Sequence, residues 1–519
     1  MSKCVSLIIV ILCSVLLTVL HAGPSLEVEV EALQAFKRSV THDPLGALAD
    51  WTVANHHCNW SGIACDPYSS QVISISLLDK QLKGEISPFL GNLSSLQVLD
   101  LTLNSFSGHI PPQLGLCSQL TQLILYYNSL SGLFPPEIGN LRNLQMLDLG
   151  DNSLNGSIPD SICNCTSLLA LGIIYNNLTG TIPKDIGNLV NLQMLVAYRN
   201  NLEGPIPVSI GMLGALQSLD LSENRLSGVI PPEIGNLSSL EYLQLFNNSL
   251  TGEIPSQLGR CRSLLALELY TNKFIGAIPH ELGNLVQLQT LRLYGNKLNS
   301  TIPPSLFQLK SLTHLGLSEN ELIGTVSDEV GSLTSLQVLT LHSNKLKGEI
   351  PSSITNLTNL TYLSMSYNSL TGRLPQNLGL LYNLKNLSLE VNHLEGSIPP
   401  SIANCTHLMY ISLGFNRITG KIPSGLGQLP NLTRLSVGPN RMSGEIPDDL
   451  FNCSNLRLLS IAENNFTGLL KPDIGKLYNL QEMVSQAEFH QKYQKPLSFR
   501  GFHCMTTLWK VPYLRDYLN

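Results

Sequence analysis

Charged side chains are scarce in this chain of 519 residues. Lys and Arg number 31 and Asp and Glu number 37, so that charged residues make up 13% of the sequence, where about 25% is ordinary. The formal net charge of −6 lacks the basic excess with which proteins bind nucleic-acid phosphates. Apolar residues still reach 43%, which is typical of a folded chain and not of a disordered one. The composition therefore argues against a nucleic-acid partner and predicts a packed core.

The short motifs of phosphate and metal chemistry are also missing. There is no G-x-x-x-x-G-K-[ST], G-x-G-x-x-G, H-R-D or D-F-G element, so neither a phosphate-binding loop nor kinase machinery is encoded in this chain. His56, His57 and Cys58 are adjacent, but a fourth metal ligand is missing and Cys58 is better placed to pair with Cys65. No spacing fixes two carboxylates as an acid–base pair. We therefore expect no catalytic residues, no metal and no cofactor.

Hydrophobic runs of membrane-spanning length are absent after residue 20. The single apolar run, from Val5 to Leu20, follows Lys3 and precedes the small residues Ala22 and Gly23. This pattern is typical of a secretory signal peptide, and the run is too short for a membrane anchor without a charged stop. We assign residues 1–23 to the signal peptide and expect export through the secretory pathway.

Asn-x-Ser/Thr sequons agree with export, because N-linked glycans are added in that pathway. They are frequent in a chain this rich in Asn, Ser and Thr, so each one alone is weak evidence. The predicted glycosylation sites are Asn59, Asn92, Asn164, Asn177, Asn236, Asn356, Asn386, Asn404, Asn431 and Asn452.

Asparagine recurs with a period of 24 residues. It occupies every twenty-fourth position from Asn104 to Asn464, and Lys80 stands at the same place one period earlier. Glycine follows four residues later, with Ser300 as the exception, and proline usually comes three residues after the glycine. The full template reads L-x-x-L-x-L-x-x-N-x-L-x-G-x-I-P. This is the signature of a leucine-rich repeat.

Each template position has a physical reading. Leucines at period two place one short strand per repeat with its apolar side inward, and neighbouring strands pair in parallel. The asparagine turns into the interior, where its amide must serve backbone donors and acceptors. Glycine is expected at a positive φ, and proline starts the outer segment. Because no repeat buries its own leucines, stacking supplies the core. We predict an α/β repeat solenoid, a leucine-rich-repeat superhelix of about 17 repeats of the 24-residue plant type.

Cysteines follow the same period. Most occupy one leucine position and are predicted to be small buried hydrophobes, because residues on non-adjacent repeats are too far apart to bridge. Cys58 and Cys65 instead bracket C-N-W-S-G-I-A-C and predict a disulfide in an N-terminal cap. Leu33, Phe36 and Val40 add an amphipathic helix to this cap. The residues at the repeat position are Cys117, Cys165, Cys261, Cys405 and Cys453, and Cys163 and Cys504 have no obvious partner.

The predicted domains follow from these patterns. Residues 24–68 form the N-terminal cap, residues 69–483 form the solenoid, and residues 484–519 are a non-repeat C-terminal tail. The tail is rich in aromatic residues and has no polar face with which to close a solenoid. We interpret it as an abnormal end, such as a retained intron, with a novel cap as the alternative.

Solvent-facing positions of the strands form lateral lines across the repeats. The position two before asparagine holds Phe246, Tyr270, Tyr294 and His342, and nearby lines hold Arg292, Thr340 and His314. Rigid aromatic rings with an arginine are a typical peptide-binding surface, although tyrosine is favoured on any sheet. Sixteen strands would make an inner arc of roughly 75 Å, which suits an extended peptide or a protein flank better than a metabolite.

The chain resembles the ectodomains of plant leucine-rich-repeat receptor kinases over roughly residues 26–483, and within them the flagellin-sensing receptors. The resemblance rests on the C-N-W-S-G-I-A-C cap and on segments such as N-L-V-Q-L-Q-T-L-R-L-Y-G-N-K-L and G-E-I-P-D-D-L-F-N-C-S-N-L. It implies an extended flagellin-derived peptide as ligand, with Tyr270, Arg292, Tyr294, His314 and Thr340 at contacting positions.

This chain departs from the family pattern in two respects. Met146, Gly150 and Ser364 stand where the flagellin receptors have an aromatic, a basic and a threonine contact. Family members also continue with further repeats, a membrane helix and a kinase, and they recruit a co-receptor kinase at the plasma membrane. We therefore predict an apoplastic, truncated immune receptor-like protein that binds peptide without kinase activity. The alternatives are a secreted inhibitor of microbial cell-wall-degrading enzymes and a nonfunctional product.

Overall fold

The N-terminal residues fold as a disulfide-linked cap. In the computed structural model, which describes residues 26–468 and 471–485, helix α1 spans Leu26–Ser39. Leu33 and Phe36 on this helix are fully buried, as the helical spacing predicts. Val40 lies outside the helix, in the strand Val40–His42, so its inclusion in the helix was wrong; this strand pairs antiparallel with the edge strand of the first repeat. Cys58 and Cys65 form the predicted disulfide.

Repeats from the cap onward divide into two compact units, the first ending at Phe274 and the second beginning at Ile275. In each unit, one inner strand per repeat pairs in parallel with its neighbours, with a register of 24 residues, as where Leu99 faces Leu123. This is the predicted leucine-rich-repeat solenoid fold. The inner strands of the first unit are Val72–Ser76, Val98–Asp100, Gln122–Ile124, Met146–Asp148, Ala170–Gly172, Met194–Val196, Ser218–Asp220, Tyr242–Gln244 and Ala266–Glu268. The cap strand Ile63–Cys65 pairs antiparallel with the first of them. Those of the second unit are Thr290–Arg292, His314–Gly316, Val338–Thr340, Tyr362–Ser364, Asn386–Ser388, Tyr410–Ser412, Arg434–Ser436, Leu458–Ser460 and Glu482–Val484.

Shorter strands follow the asparagine of many repeats. In the first unit they span Lys83–Glu85, Ser105–Gly108, Ser129–Leu133, Ser153–Asn155, Glu203–Gly204, Arg225–Gly228 and Ser249–Glu253, with Lys273–Gly276 ending in the second unit. In the second unit they span Lys297–Leu298, Lys347–Glu349, Ser369–Thr371, Ser443–Gly444 and Asn465–Phe466. Where they are adjacent they pair in parallel, so each repeat offers two strands for stacking.

A short 3₁₀ helix forms the outer side of each repeat. In the first unit these helices are His57–Asn59, Pro88–Asn92, Pro112–Leu116, Pro136–Asn140, Asp160–Asn164, Ile186–Asn188, Val208–Met212, Pro232–Asn236 and Ser256–Arg260. In the second unit they are His280–Asn284, Pro304–Gln308, Asp328–Ser332, Ser352–Asn356, Leu378–Leu380, Pro400–Asn404, Leu426–Gln428, Asp448–Asn452 and Pro472–Lys476. The template proline caps their start, as at Pro135, because its fixed φ suits an extended residue before the helix. Ser327 and Ser87 replace this proline and cap through their side chains instead, accepting from the Glu329 and Phe89 N–H groups.

The repeating asparagine makes the hydrogen bonds expected of it. The Asn128 amide nitrogen donates to the Leu101 carbonyl of the preceding repeat at 3.0 Å and to the Leu125 carbonyl at 3.2 Å. Its oxygen accepts from the Phe106 N–H at 2.9 Å. Asn320 makes equivalent bonds in the second unit. Each amide therefore joins two successive repeats through donor and acceptor at once.

The first repeat has Lys80 in place of asparagine, and the Asn104 side chain of the next repeat makes the hydrogen bonds to its turn. The Asn104 side-chain oxygen accepts from the backbone N–H groups of Lys80 and Leu82, at 3.2 and 2.9 Å. Its amide nitrogen donates to the Leu77 carbonyl at 2.8 Å. The first turn is thus satisfied without an asparagine of its own.

Two backbone positions per repeat have positive φ. The glycine four residues after asparagine is one of them, as at Gly108 with φ 77°, and this confirms the expectation from the template. The residue just before asparagine is the other, and the sequence analysis missed it. Where this residue is neither glycine nor proline, its φ lies between 46° and 56°, even for the β-branched Thr271 and Val391, a conformation that such residues rarely adopt. The strand therefore turns left-handed at a position whose side chain varies freely.

Cysteines at the leucine position are buried and unpaired, as predicted. The Cys117 thiol donates to the Leu90 carbonyl at 3.4 Å, and burial raises its pKa to about 12. Cys163 is also buried and unpaired, and stands where most repeats have a glycine in the outer segment. The predicted signal peptide, the tail beyond residue 485 and Cys504 lie outside the described residues.

Candidate functional site

Two of the predicted contact residues lie in the first unit. Phe246 and Tyr270 extend from the ends of neighbouring inner strands, and their rings stack with centroids 4.3 Å apart and planes 7° apart. Offset or parallel stacking at this distance stabilises a pair beyond its buried area. The predicted lateral line of aromatics therefore exists for this pair, and it gives the first unit a rigid flat apolar surface.

Three other predicted contact residues, Arg292, Tyr294 and Thr340, surround a hollow in the second unit. Gly316 lies between the strands that carry Arg292 and Thr340. A Cβ placed on Gly316 would lie 3.3 Å from a Tyr294 ring carbon, 3.5 Å from the Thr340 hydroxyl and 3.7 Å from Cγ of Arg292. The missing side chain leaves only a shallow hollow at the sheet surface, too tight to admit a methyl group without a small shift, bounded by an aromatic ring, a hydroxyl and an arginine stem. Sequence reasoning found these three residues and missed the glycine, because only the strand pairing puts it between them.

His314 and His342 line the inner side of the same unit. The His314 Nδ1 lies 2.9 Å from the Thr313 hydroxyl. The His342 Nδ1 lies 3.3 Å from the Ser364 hydroxyl, and its Nε2 lies 3.8 Å from a Glu319 carboxylate oxygen. Both imidazoles are partly exposed. Neighbouring side chains therefore hold both rings in place on the partly exposed inner side.

Small side chains on the inner strands are less exposed than predicted. Thr340 is 8% exposed, Ser364 is 4% exposed and Ser412 is fully buried, although their positions were expected to face solvent. The reason is steric: a hydroxyl near the sheet is covered by larger side chains on the strands beside it. Thr340 therefore reaches a ligand only through the hollow beside Gly316.

Sequence reasoning overlooked a polar aromatic cluster in the first unit. The Arg199 guanidinium lies 4.8 Å from the centre of the Tyr175 ring, donates to its hydroxyl at 2.8 Å and pairs with Glu223 at 2.9 Å. The Tyr198 ring meets Tyr175 edge-on at 5.3 Å. The signal was present in the aromatic and charged residues just before and two before asparagine, but their mutual contacts depend on side-chain directions that a sequence does not show.

Carboxylates line the inner strands of the first unit as well. Burial raises the pKa of Asp148, although the Gly150 N–H donates to it. Burial also raises the pKa of Asp220, which accepts from the backbone and hydroxyl of Ser222. These hydrogen bonds stabilise the charged form and offset part of the cost of burying it.

Departures from the flagellin-receptor pattern have a structural consequence. Met146 is 39% exposed on its inner strand. A Cβ on Gly150 would lie 2.8 Å from Cγ1 of Ile174 and 3.1 Å from the Tyr126 ring. A basic side chain at position 150 would therefore need its neighbours to move, and the early strands of this chain present a different surface.

Predicted glycan acceptors are distributed unevenly. Asn386 is half-buried on the inner strand Asn386–Ser388, whereas the other predicted acceptors are exposed. The exposed group comprises Asn59, Asn92, Asn164, Asn177, Asn236, Asn356, Asn404, Asn431 and Asn452. A glycan at Asn386 would project over the inner sheet, while the others lie away from it or at the edges of the repeats.

The three candidate metal ligands in the cap, His56, His57 and Cys58, do not form a metal site. Ligand atoms of His56, His57 and Cys58 lie within 4.8 Å of one another, but the Cys58 sulfur is bonded to Cys65 and cannot act as a thiolate ligand. Among the described residues, no helix combines the length and the apolar character needed to cross a membrane.

Comparison with known families agrees with this geometry. The model of the leucine-rich repeat region matches residues 71–201 and 338–515, that of the leucine rich repeat N-terminal domain matches residues 26–66, and single leucine rich repeats match residues 215–237, 239–261 and 287–309. Over 90 residues the chain is 40% identical to the LRR receptor-like serine/threonine-protein kinase EFR of Arabidopsis thaliana, covering 17% of this chain and 9% of that protein. Alignments with curated relatives thus span only 8% to 15% of the relatives' lengths.

Solved structures cover far more of the chain. A TDR receptor superimposes with a TM-score of 0.77 at 34% identity, covering 83% of this chain and 74% of that one. The Arabidopsis receptor kinase HAESA, in complex with the peptide hormone IDA and the co-receptor SERK1, superimposes with a TM-score of 0.69 at 31% identity, covering 88% of this chain and 85% of that one. The chain belongs to the leucine-rich-repeat family, in the form that the ectodomains of plant receptor kinases carry.

Proposed function

We propose that this chain is an extracellular recognition module that binds an extended peptide of flagellin type on its inner strands. The observation that carries the proposal is the hollow at Gly316 in the second unit. An aromatic ring, a hydroxyl and an arginine meet there at the sheet surface, and tyrosine and arginine are among the residues that contribute most to binding at protein surfaces.

The chemistry of the hollow suits a peptide better than a small metabolite. The rigid Tyr294 ring supplies apolar contact at little entropic cost, and the Arg292 guanidinium can grip a carboxylate or a backbone carbonyl with two hydrogen bonds. The exposed imidazoles of His314 and His342 add further donors on the following strands. Such groups spread over several strands match a ligand that contacts many repeats in sequence.

The ligand class also draws on the similar structures. HAESA carries a peptide hormone in its solved complex together with the co-receptor SERK1, and by analogy a co-receptor kinase is the second partner we propose. Flagellin-type specificity rests on the resemblance of Tyr270, Arg292, Tyr294, His314 and Thr340 to contact positions of flagellin receptors. Export to the apoplast and the glycans remain predictions of the same proposal, as does the interpretation as a truncated receptor-like protein.

Isothermal titration calorimetry with a peptide from the conserved region of flagellin tests the proposal. We expect saturable binding by the wild-type chain and at least about tenfold weaker binding by Arg292→Ala combined with Tyr294→Ala. Gly316→Ala narrows the hollow and should weaken binding too, because the added Cβ would lie within 3.5 Å of both Tyr294 and Thr340.

A matched control is available in the outer segments. Arg142 and Tyr382 are exposed there, away from the inner strands, so Arg142→Ala combined with Tyr382→Ala removes the same residue types. This control should bind as the wild type does. Unchanged affinity in the Arg292/Tyr294 variant would refute the site, and absence of binding by the wild type would refute the flagellin-type ligand.

A further inference from the structure

We propose that Glu390, on the inner side of the second unit, forms a binding subsite for a lysine or arginine side chain of the peptide ligand. The inference rests on the proposed peptide-binding function and adds a charge preference to it. The subsite is separate from the hollow at Gly316 and lies on the strands that begin at Tyr362, Asn386 and Tyr410.

The floor of the subsite consists of small hydroxyl residues. Ser412 is fully buried and its hydroxyl donates to a Glu390 carboxylate oxygen. The Ser366 and Ser388 hydroxyls lie 2.6 Å apart and bond to each other. Because these groups satisfy one another close to the sheet, the floor is shallow and the Glu390 carboxylate is held by a neighbour on the next strand.

Two tyrosines on the neighbouring strands, Tyr362 and Tyr410, feel the charge of the carboxylate. Burial raises the pKa of both the Tyr362 and Tyr410 phenols, and the negative charge of Glu390 raises both further. The carboxylate therefore lies within electrostatic reach of both phenols, which stay neutral. A partly exposed carboxylate near neutral phenols is a favourable place for a cation, which gains charge pairing with the carboxylate.

No protein cation pairs directly with this carboxylate, although the charge of Arg434 on the next strand acts on the Tyr410 phenol and lowers its pKa. Across residues 26–468 and 471–485, no lysine, arginine or histidine nitrogen lies within 4.0 Å of the Glu390 oxygens. Glu321 in the same unit shows the contrast, since it pairs with Lys345 at 2.8 Å. Glu390 is partly exposed, so a cation supplied from outside can reach it, and an acidic ligand residue would be repelled.

A sequon lies on the middle strand of this subsite. Asn386 precedes Leu387 and Ser388 on the strand between the two tyrosines, and a glycan there would occupy the space that the ligand needs. The subsite therefore revises the glycan predicted at Asn386 from its sequon, and we expect Asn386 to be free of sugar in the secreted protein. Asn404 and Asn431 are exposed sequons of the same unit and serve as the comparison in glycopeptide mass spectrometry.

Binding of a defined peptide library tests the charge preference. The probe is a set of N-acetylated, C-amidated 14-residue peptides in which one position at a time is fixed as Lys, Arg, Gln or Glu and the others are mixed. The secreted full chain should prefer Lys or Arg over Gln at one position by about tenfold. Glu390→Gln should lose that preference while still binding the library. Glu463→Gln removes an exposed acid of the same unit and should retain it.

A charge reversal guards against misinterpreting a folding defect. Glu390→Lys should change the preferred residue at that position to Glu, a gain that an unfolded variant could not produce. Library binding without any cationic preference, or a preference that survives Glu390→Gln, would overturn the subsite and leave the peptide-binding function standing. Complete absence of library binding by the wild type would overturn both, and sugar on Asn386 at the occupancy of Asn404 would overturn the subsite alone.

Discussion

The asparagine side chain illustrates how much one residue type can determine. Its amide offers donor and acceptor in a single group, and Asn128 uses both to join adjacent repeats. The position just before it behaves in the opposite way, because its left-handed backbone is imposed on residues as different as Leu103, Glu223 and Val391. A conformation that the neighbours enforce on any side chain leaves no compositional signal.

A second residue-scale feature is a buried pair in the cap. Glu29 is fully buried on helix α1 and accepts from the Val72 N–H at 3.0 Å. The His57 Nε2 lies 3.2 Å from the Ser70 carbonyl and 3.7 Å from a Glu29 oxygen. The other Glu29 oxygen has no hydrogen-bond partner. Burial raises the pKa of Glu29 and lowers that of His57, so both groups favour their neutral forms.

The pair predicts a pH dependence of cap stability. The stabilisation that neutral Glu29 gives the folded cap is present below its usual pKa of 4.5. It is lost as pH rises through the raised pKa of the folded state. The His57 contribution runs the other way: it is present above 6.5 and is lost as pH falls. Glu29→Gln should therefore raise the stability of the cap at pH 7 and leave it unchanged at pH 4, where the wild-type carboxyl is already neutral.

Hydrogen exchange of α1 amides across this pH range measures the effect. Glu31→Gln, an exposed change on the same helix, is the control and should follow the wild type at every pH. A Glu29→Gln profile that parallels the wild type from pH 4 to pH 7 would show that Glu29 is not destabilised by burial.

At the scale of elements, the outer segments of successive repeats make close backbone contacts at a glycine. A Cβ on Gly115 would lie 2.3 Å from the Glu137 carbonyl oxygen of the next repeat, and one on Gly139 would lie equally close to the Ser161 carbonyl. The proline that starts these segments was predicted, whereas the packing role of this glycine was not. The template shows a frequent glycine here, but only the stacked repeats reveal that its lack of a side chain sets the spacing.

Gly115→Ala should lower the free energy of unfolding by about 1–3 kcal/mol, because the backbone of one segment must shift to admit the methyl group. Chemical denaturation followed by circular dichroism provides the measurement. Gly214→Ala is the matched control, since a Cβ there meets no atom within 4 Å, and its effect should stay within about 0.5 kcal/mol. Equal stability of the two variants would contradict the close-packing interpretation.

For the whole molecule, the repeat period itself is the structural requirement. Leucines such as Leu99 and Leu123 are fully buried only because the next repeat covers them. Strand register and the asparagine bonds all connect residues at a fixed offset, so they tolerate the loss of a whole repeat and not of a fraction of one.

A variant lacking residues 201–224 should remain folded, because it joins Asn200 to Arg225 and keeps the 24-residue spacing. The slope of its unfolding free energy against denaturant concentration should fall slightly, in proportion to the surface lost. A variant lacking residues 201–223 removes one residue fewer and leaves the junction repeat one residue too long, which displaces the asparagine bonds and the strand register between this repeat and the next. It should bind a hydrophobic dye such as ANS and unfold at lower denaturant. Similar behaviour of the two variants would refute the requirement for register.

Much of this protein was determined by the sequence alone. Period and residue type predicted the strands, the buried asparagines, the cysteine environments and the disulfide between Cys58 and Cys65, because each depends on chemistry repeated at a fixed interval. The interval also placed Arg292 and Thr340 on inner strands and Tyr294 two residues past the end of one.

Tertiary structure decided what lies between these residues. The hollow at Gly316, the carboxylate of Glu390 beside two tyrosines and the pairing of Glu29 with His57 each join positions at different template slots or on different elements. A repeat pattern specifies the slot of a side chain, whereas its depth and its neighbours depend on the sizes of the residues on adjoining strands. Burial and contact are therefore properties of the stacked molecule, and no single repeat contains them.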